Sequence, residues 1–154
     1  MAPLEKKIEI LIVDDDEGHI ELVRRNLQRS GITNHITDLH SGDAALDYVF
    51  GRGQNAAQPP RSSDLLILLD INMPGAADGI EVLRRVKAAP ETRGIPIIML
   101  TTTDDPREIS RCYDLGCNIY ITKPVDPAAF VEAVKRLGLF ISIVAIPPSQ
   151  ETLP

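Results

Sequence analysis

The feature that most limits what this chain can fold into is the segment Asp64-Leu65-Leu66-Ile67-Leu68-Leu69-Asp70-Ile71-Asn72-Met73-Pro74. Five consecutive apolar residues, Leu65 to Leu69, run directly into a carboxylate. A short unbroken apolar run bounded by turn residues suits a strand covered on both faces, as in a parallel sheet. Such a strand carries Asp70 to its carboxyl end, where the crevice of an open α/β sheet takes ligands. Pro74 and Gly75 then end regular structure. A carboxylate in that place is a nucleophile, a metal ligand, or both.

The rest of the chain alternates strand and helix patterns. Ile8 to Val13 is a β-branched run that ends in Asp14-Asp15-Asp16. A helix follows with Ile20, Val23 and Leu27 on one face, and Gly31 lies where it should stop. His35 to Leu39 is a weak strand, and Ser41 caps a helix from Gly42 to Phe50. Gly51 to Ser63 is the longest loop, yet the same alternation resumes after it. Asp78-Gly79-Ile80-Glu81 has the form of a capping box and opens a helix with Ile80, Leu83 and Val86 inward. Ile95 to Leu100 is another buried strand, ending at Thr101-Thr102-Thr103. Asp105-Pro106 starts a helix that Gly116 stops. Asn118 to Thr122 is a strand that ends at Lys123-Pro124. Asp126-Pro127 begins the last helix, with Phe130, Val134 and Leu137 inward, and Gly138 is expected to end it. Five strand-helix units imply a mainly parallel sheet with helices on both faces. Right-handed crossovers favour the flavodoxin-like, doubly wound order 2-1-3-4-5.

Bulk properties narrow the function classes. At 154 residues one domain is expected, and 44% hydrophobic with 25% charged residues is the composition of an ordinary soluble globular domain. A net charge of −6 argues against binding nucleic acid or anionic membranes. No signal peptide or transmembrane run is apparent, so a cytoplasmic location is expected. Cys112 and Cys117 match neither a zinc pair nor a redox motif and are expected as reduced structural thiols.

In a parallel sheet all carboxyl ends point one way. With the order 2-1-3-4-5, Asp14 and Asp15 after the first strand converge with Asp70, Thr101 and Lys123 after the third, fourth and fifth. Like charges 4 Å apart repel by about 4 kcal/mol at an effective dielectric of 20. Three carboxylates therefore call for a divalent cation, a lysine or raised pKa values. Oxygen ligands in small number suit Mg²⁺, and the absence of a histidine or cysteine directly after any of the four converging strands disfavours zinc. A carboxylate beside Mg²⁺ can attack phosphorus in line and form an aspartyl phosphate. Lys123 would then neutralise phosphoryl oxygens, and Thr101 would hydrogen-bond one of them.

From Ile8 to Leu137, the set Asp14-Asp15, Asp70, Thr101 and Lys123-Pro124 resembles the receiver (CheY-like) domain of two-component response regulators. The resemblance implies that Asp70 is the phosphoacceptor. It implies that Asp15 and Asp70 bind Mg²⁺ directly, that Asp14 binds it through water, and that Asn72 adds its backbone carbonyl. Thr101 becomes the switch hydroxyl, Tyr120 the aromatic switch, and Lys123 the partner of the phosphoryl group; the Lys123-Pro124 bond is usually cis in the family. One residue departs from the pattern: Gly75, Ala76 and Ala77 separate Pro74 from Asp78-Gly79, where two residues are usual. The long loop, the threonine run and the apolar tail are similar to the stand-alone regulators paired with phytochrome-type histidine kinases. That implies a phytochrome-type kinase as donor and homodimerisation as an output.

Plainer assignments cover the neighbours. Asp16 is expected as the N-cap of the first helix and Glu17 as a solvated first-turn residue. His19, His35 and His40 lie in no phosphodonor motif and are expected to be structural. Thr102 is expected to pack or bond locally. Thr103 cannot orient water as a carboxylate or amide would, so slow hydrolysis of the phosphoryl group is expected. The receiver domain is expected to occupy residues 1–137. Residues 138–154 form an apolar extension, expected to be extended and to serve as a dimerisation arm, with folding back onto its own domain or docking on another protein as the alternatives. The chain leaves no room after Val125 for a DNA-binding helix-turn-helix, so output through protein contacts is expected. Two alternatives remain at this point: a Mg²⁺-dependent phosphatase working through an aspartyl phosphate, and an interaction module that is never phosphorylated.

Overall fold

The computed structural model describes residues 8–53 and 64–143. Most of the long loop and the end of the apolar tail lie outside the described residues. The elements are β1 (Glu9–Val13), α1 (Glu17–Arg29), β2 (Ile36–Leu39), α2 (Gly42–Phe50) and β3 (Leu65–Leu69), then α3 (Gly79–Ala88), β4 (Ile97–Thr101), α4 (Pro106–Leu115), β5 (Ile119–Thr122) and α5 (Pro127–Ile143). The strands form one sheet in the order β2-β1-β3-β4-β5, and every pairing is parallel. This is the flavodoxin-like order that the alternation predicts.

The period-two alternation of side chains divides the sheet between two cores. Leu11, Val13, Leu65, Ile67, Leu69, Ile97 and Met99 face one side, where Ala45, Leu46 and Val49 of α2 and Val82, Leu83 and Val86 of α3 cover them. Ile10, Ile12, Leu66, Leu68, Ile98 and Leu100 face the other, beneath Ile20, Val23 and Leu27 of α1 and Phe130, Val134 and Leu137 of α5. β3 is central, and all five of its residues are buried. β2, at the edge, has no fully buried residue. Burial of each large apolar side chain contributes about 1.5–3 kcal/mol, so the central strands anchor the sheet.

Caps set the helix starts. Asp16 accepts from the His19 amide at 3.1 Å, Ser41 from the Ala44 amide at 3.0 Å and Asp78 from the Glu81 amide at 2.9 Å. Asp105 accepts from the Arg107 amide at 2.9 Å, with Pro106 at the first helical position. Cys112 and Cys117 are buried free thiols, and burial pushes the Cys112 thiol up to about 11.

Two expectations change. Gly138 does not end α5, which continues to Ile143. A Cβ on Gly138 would lie 2.6 Å from Ser30 Oγ and 2.7 Å from Ser30 Cβ, so the glycine permits α5 to approach the end of α1. Its φ is not positive, and it makes no helix stop. The segment expected to be extended after it is therefore helical through Ile143. The Lys123–Pro124 peptide, whose isomer the sequence leaves open, is trans; trans is the isomer X–Pro bonds favour by about 0.5–1 kcal/mol. Among the described residues no helix is long and apolar enough to cross a membrane.

Candidate functional site

The carboxyl edge of the sheet collects the charged side chains. Asp14 follows β1, Asp70 follows β3 and Lys123 follows β5, and all three are buried. Lys123 Nζ donates to Asp14 Oδ2 at 2.6 Å and to Asp70 Oδ2 at 3.4 Å. The Asp70 Oδ1 atom accepts from the Ile71 amide at 2.8 Å, which fixes the carboxylate against its own strand end. Asp14 Oδ1 accepts from the Asp16 amide at 2.9 Å, at the turn into α1. Burial pushes the Asp14 carboxyl above the usual range, aided by the Asp70 charge, while Lys123 and the Asp16 amide oppose the rise without cancelling it.

Asp15 is exposed at the mouth of this pocket. One oxygen from each of Asp14, Asp15 and Asp70 lies within 4.8 Å of the others. Three carboxylates face one ammonium, so the cluster carries excess negative charge that a cation would neutralise. An all-oxygen donor set with one exposed, open side fits a hard divalent cation and not a thiolate-preferring metal.

Two loops meet beside the pocket. Thr101, at the end of β4, is completely buried, and its carbonyl accepts from the Lys123 amide at 2.6 Å. Its Oγ1 faces the Thr103 amide at 3.5 Å. Asn72 is exposed, and its Nδ2 donates to Thr103 Oγ1 at 3.0 Å, bridging the β3–α3 and β4–α4 loops. The Tyr120 hydroxyl donates to the Thr103 carbonyl at 2.5 Å, and its amide donates to Tyr113 Oη at 3.0 Å. Burial pushes the Tyr120 phenol up to about 12. Tyr120 is thus tied to the segment that Thr101 begins.

The extra residue between Pro74 and Asp78 is accommodated by α2. Asp43 Oδ2 accepts from the Ala76 amide at 3.2 Å, and Ala77 is buried against the core. Asp43 escaped the sequence because its contact crosses 33 positions; its place in the first turn of α2, at the same sheet edge, was the available signal.

His19 also escaped. It was expected to be merely structural, yet its Nδ1 lies 3.1 Å from Lys123 Nζ. The ring is tilted on Phe130 with centroids 5.1 Å apart. The available signal was its position on the first turn of α1, three residues past the Asp16 cap, which turns it back toward the strand ends. His40 lies elsewhere, in a surface cluster where Nε2 is 2.9 Å from Glu17 and 2.8 Å from Asp38. Arg24 also pairs with Asp38.

Comparison with known proteins places this geometry in context. Residues 10–135 match the model of the response regulator receiver domain. The response regulator Rcp1 of Synechocystis is 35% identical over 114 residues, which is 74% of this chain and 75% of Rcp1. A structure of manganese-bound Rcp1 aligns with a TM-score of 0.83, covering 92% of this chain and 99% of that one at 30% identity. A receiver domain from Rhodospirillum rubrum aligns at 45% identity with a TM-score of 0.82, covering 91% and 97% of the two chains. The phosphorylated cyanobacterial phytochrome response regulator RcpA aligns at 31% identity with a TM-score of 0.81, covering 92% and 99%.

Proposed function

The chain belongs to the response regulator receiver family, and from that premise we propose that Asp70 accepts a phosphoryl group from the phosphohistidine of a histidine kinase. The supporting observation is the buried contact of Lys123 with both Asp14 and Asp70 at the end of the central strand. The family match favours a signalling domain over the phosphatase alternative. The protein's only turnover is the slow hydrolysis of its own acyl phosphate.

An Asp70 oxygen attacks the phosphorus in line. The new P–O bond forms as the P–N bond breaks, and the imidazole nitrogen leaves with the electron pair. Lys123 meets the charge on the phosphoryl oxygens, and the Thr101 hydroxyl donates to one of them. Asp15 and Asp70 would hold Mg²⁺, with Asp14 acting through water and Asn72 through its backbone carbonyl. When bound, the ion neutralises charge that would otherwise repel the incoming phosphoryl group. Hydrolysis runs by attack of water on phosphorus, which returns the Asp70 carboxylate.

Capture of the phosphoryl group by Lys123 and Thr101 is the differential interaction that shifts the domain between two states. Thr101 moves with the loop whose Thr103 carbonyl Tyr120 holds, so the two side chains relay the change. Likeness to RcpA supports a phytochrome-type kinase as donor. Residues 1–137 act as the receiver, in the cytoplasm. Residues 138–154 act as a dimerisation arm whose first part is the end of α5, where Leu139 and Phe140 are exposed. Output passes through protein contacts.

The test is incubation with acetyl phosphate and Mg²⁺ followed by intact-mass measurement. Wild type gains one acid-stable, base-labile phosphoryl group and Asp70→Asn gains none. No gain in the wild type, or a gain retained in the variant, overturns the proposal.

A further inference from the structure

We infer that His19 is a positioning residue for Lys123: its neutral imidazole accepts one ammonium proton through Nδ1 and holds the ammonium beside Asp70. The inference rests on the reading of Lys123 as the group that meets the phosphoryl oxygens. An ammonium has three N–H donors and no acceptor. Lys123 Nζ has three neighbours: Asp14 Oδ2 at 2.6 Å, His19 Nδ1 at 3.1 Å and Asp70 Oδ2 at 3.4 Å. Each proton therefore has one acceptor, and the side chain is only 1% exposed, so water does not compete.

The contact also selects the tautomer. A nitrogen facing an ammonium must present its lone pair, which places the ring proton on Nε2. Asp16 Oδ2 lies 3.5 Å from the same Nδ1 and would favour a proton there. That arrangement would set an N–H against an ammonium proton, and the shorter contact to Lys123 decides against it. Two contacts restrain the ring: Asp16 caps its backbone amide at 3.1 Å, and the Phe130 ring lies tilted against it with centroids 5.1 Å apart. On phosphoryl transfer, the incoming oxygen replaces Asp70 as acceptor of the longest of the three bonds. Asp14 and His19 keep the other two, so the ammonium stays in place.

Two variants separate the acceptor from the packing. His19→Phe keeps a ring on Phe130 and has no acceptor. His19→Asn loses the ring and presents Oδ1 near the position of Nδ1. With acetyl phosphate, His19→Phe is expected to slow phosphorylation about tenfold, and His19→Asn to stay within about threefold of wild type. Nitrogen-15 NMR of the metal-free protein gives a readout independent of phosphorylation. It is expected to show an Nε2–H tautomer for His19. A slowly exchanging Lys123 ammonium signal should appear in wild type and His19→Asn and be lost in His19→Phe. An Nδ1–H tautomer, or a His19→Phe protein that matches wild type in rate and in the ammonium signal, overturns the inference. A wild type that takes no phosphoryl group sinks the phosphoacceptor reading instead, and the NMR result still decides the role of His19.

Discussion

At the carboxyl edge Asp14 is 5% exposed and shares Lys123 with Asp70. Its pKa is raised above 3.8, with burial as the largest cause. The sign follows from linkage: the folded state holds this proton more tightly than the unfolded chain does. Stability from this group is fully present below the unfolded value of 3.8 and is lost as pH rises through the higher folded pKa. Without a divalent ion, Asp14 in its ionised form therefore destabilises the fold. Asp14→Asn keeps an oxygen for Lys123, removes the charge and gives up the bond from the Asp16 amide. It should stabilise the metal-free protein by about 1 kcal/mol at pH 7, and the gain should vanish toward acid pH. Thermal melts across pH check this; a loss of stability at pH 7 contradicts it. The site thus trades stability for charge, as functional clusters commonly do.

At the scale of elements, two glycines set how helices pack, one against a strand end and one against another helix. A Cβ on Gly79 would lie 1.9 Å from the Asp70 carbonyl oxygen and 2.7 Å from Ile71 Cα, both backbone atoms. The start of α3 abuts the peptide that carries Asp70, the proposed phosphoacceptor, and the Gly79 amide donates to the Ile71 carbonyl at 2.9 Å. Gly79→Ala should cost about 1–3 kcal/mol in urea unfolding and slow phosphorylation by displacing Asp70. Gly138 tests the α1–α5 contact. In a free helix Ala would gain about 1 kcal/mol over Gly, but overpacking against Ser30 costs about 1–3 kcal/mol. Gly138→Ala should therefore destabilise, and on a Ser30→Gly background the same change should stabilise. A stabilising Gly138→Ala in the wild-type background would show that the contact relaxes freely.

For the whole molecule, the strand order and the convergence of Asp14, Asp70, Thr101 and Lys123 were legible in the sequence. Both follow from unbroken apolar runs, helix faces of period 3.6, capping residues at the starts and the right-handedness of the crossovers. The length of α5 was not legible, because a glycine placed for close approach and a glycine placed as a stop are the same letter. The contacts of His19 with Lys123 and of Asp43 with Ala76 were hidden for a related reason. Each depends on how one helix's first turn is aimed at a distant loop, which only the packed sheet determines. The proposed arm is testable at this scale. Leu139→Ser with Phe140→Ser should convert a dimer to a monomer in light scattering, and an undiminished dimer removes the arm from the account.

The central claim, that Asp70 is the phosphoacceptor, is tested most directly by trapping the acyl phosphate. Borohydride reduces an aspartyl phosphate to homoserine, which peptide mass spectrometry locates. After phosphotransfer from a phytochrome-type kinase in Mg²⁺, the account predicts homoserine at position 70 alone; homoserine at position 14 or 15, or at none, would contradict it.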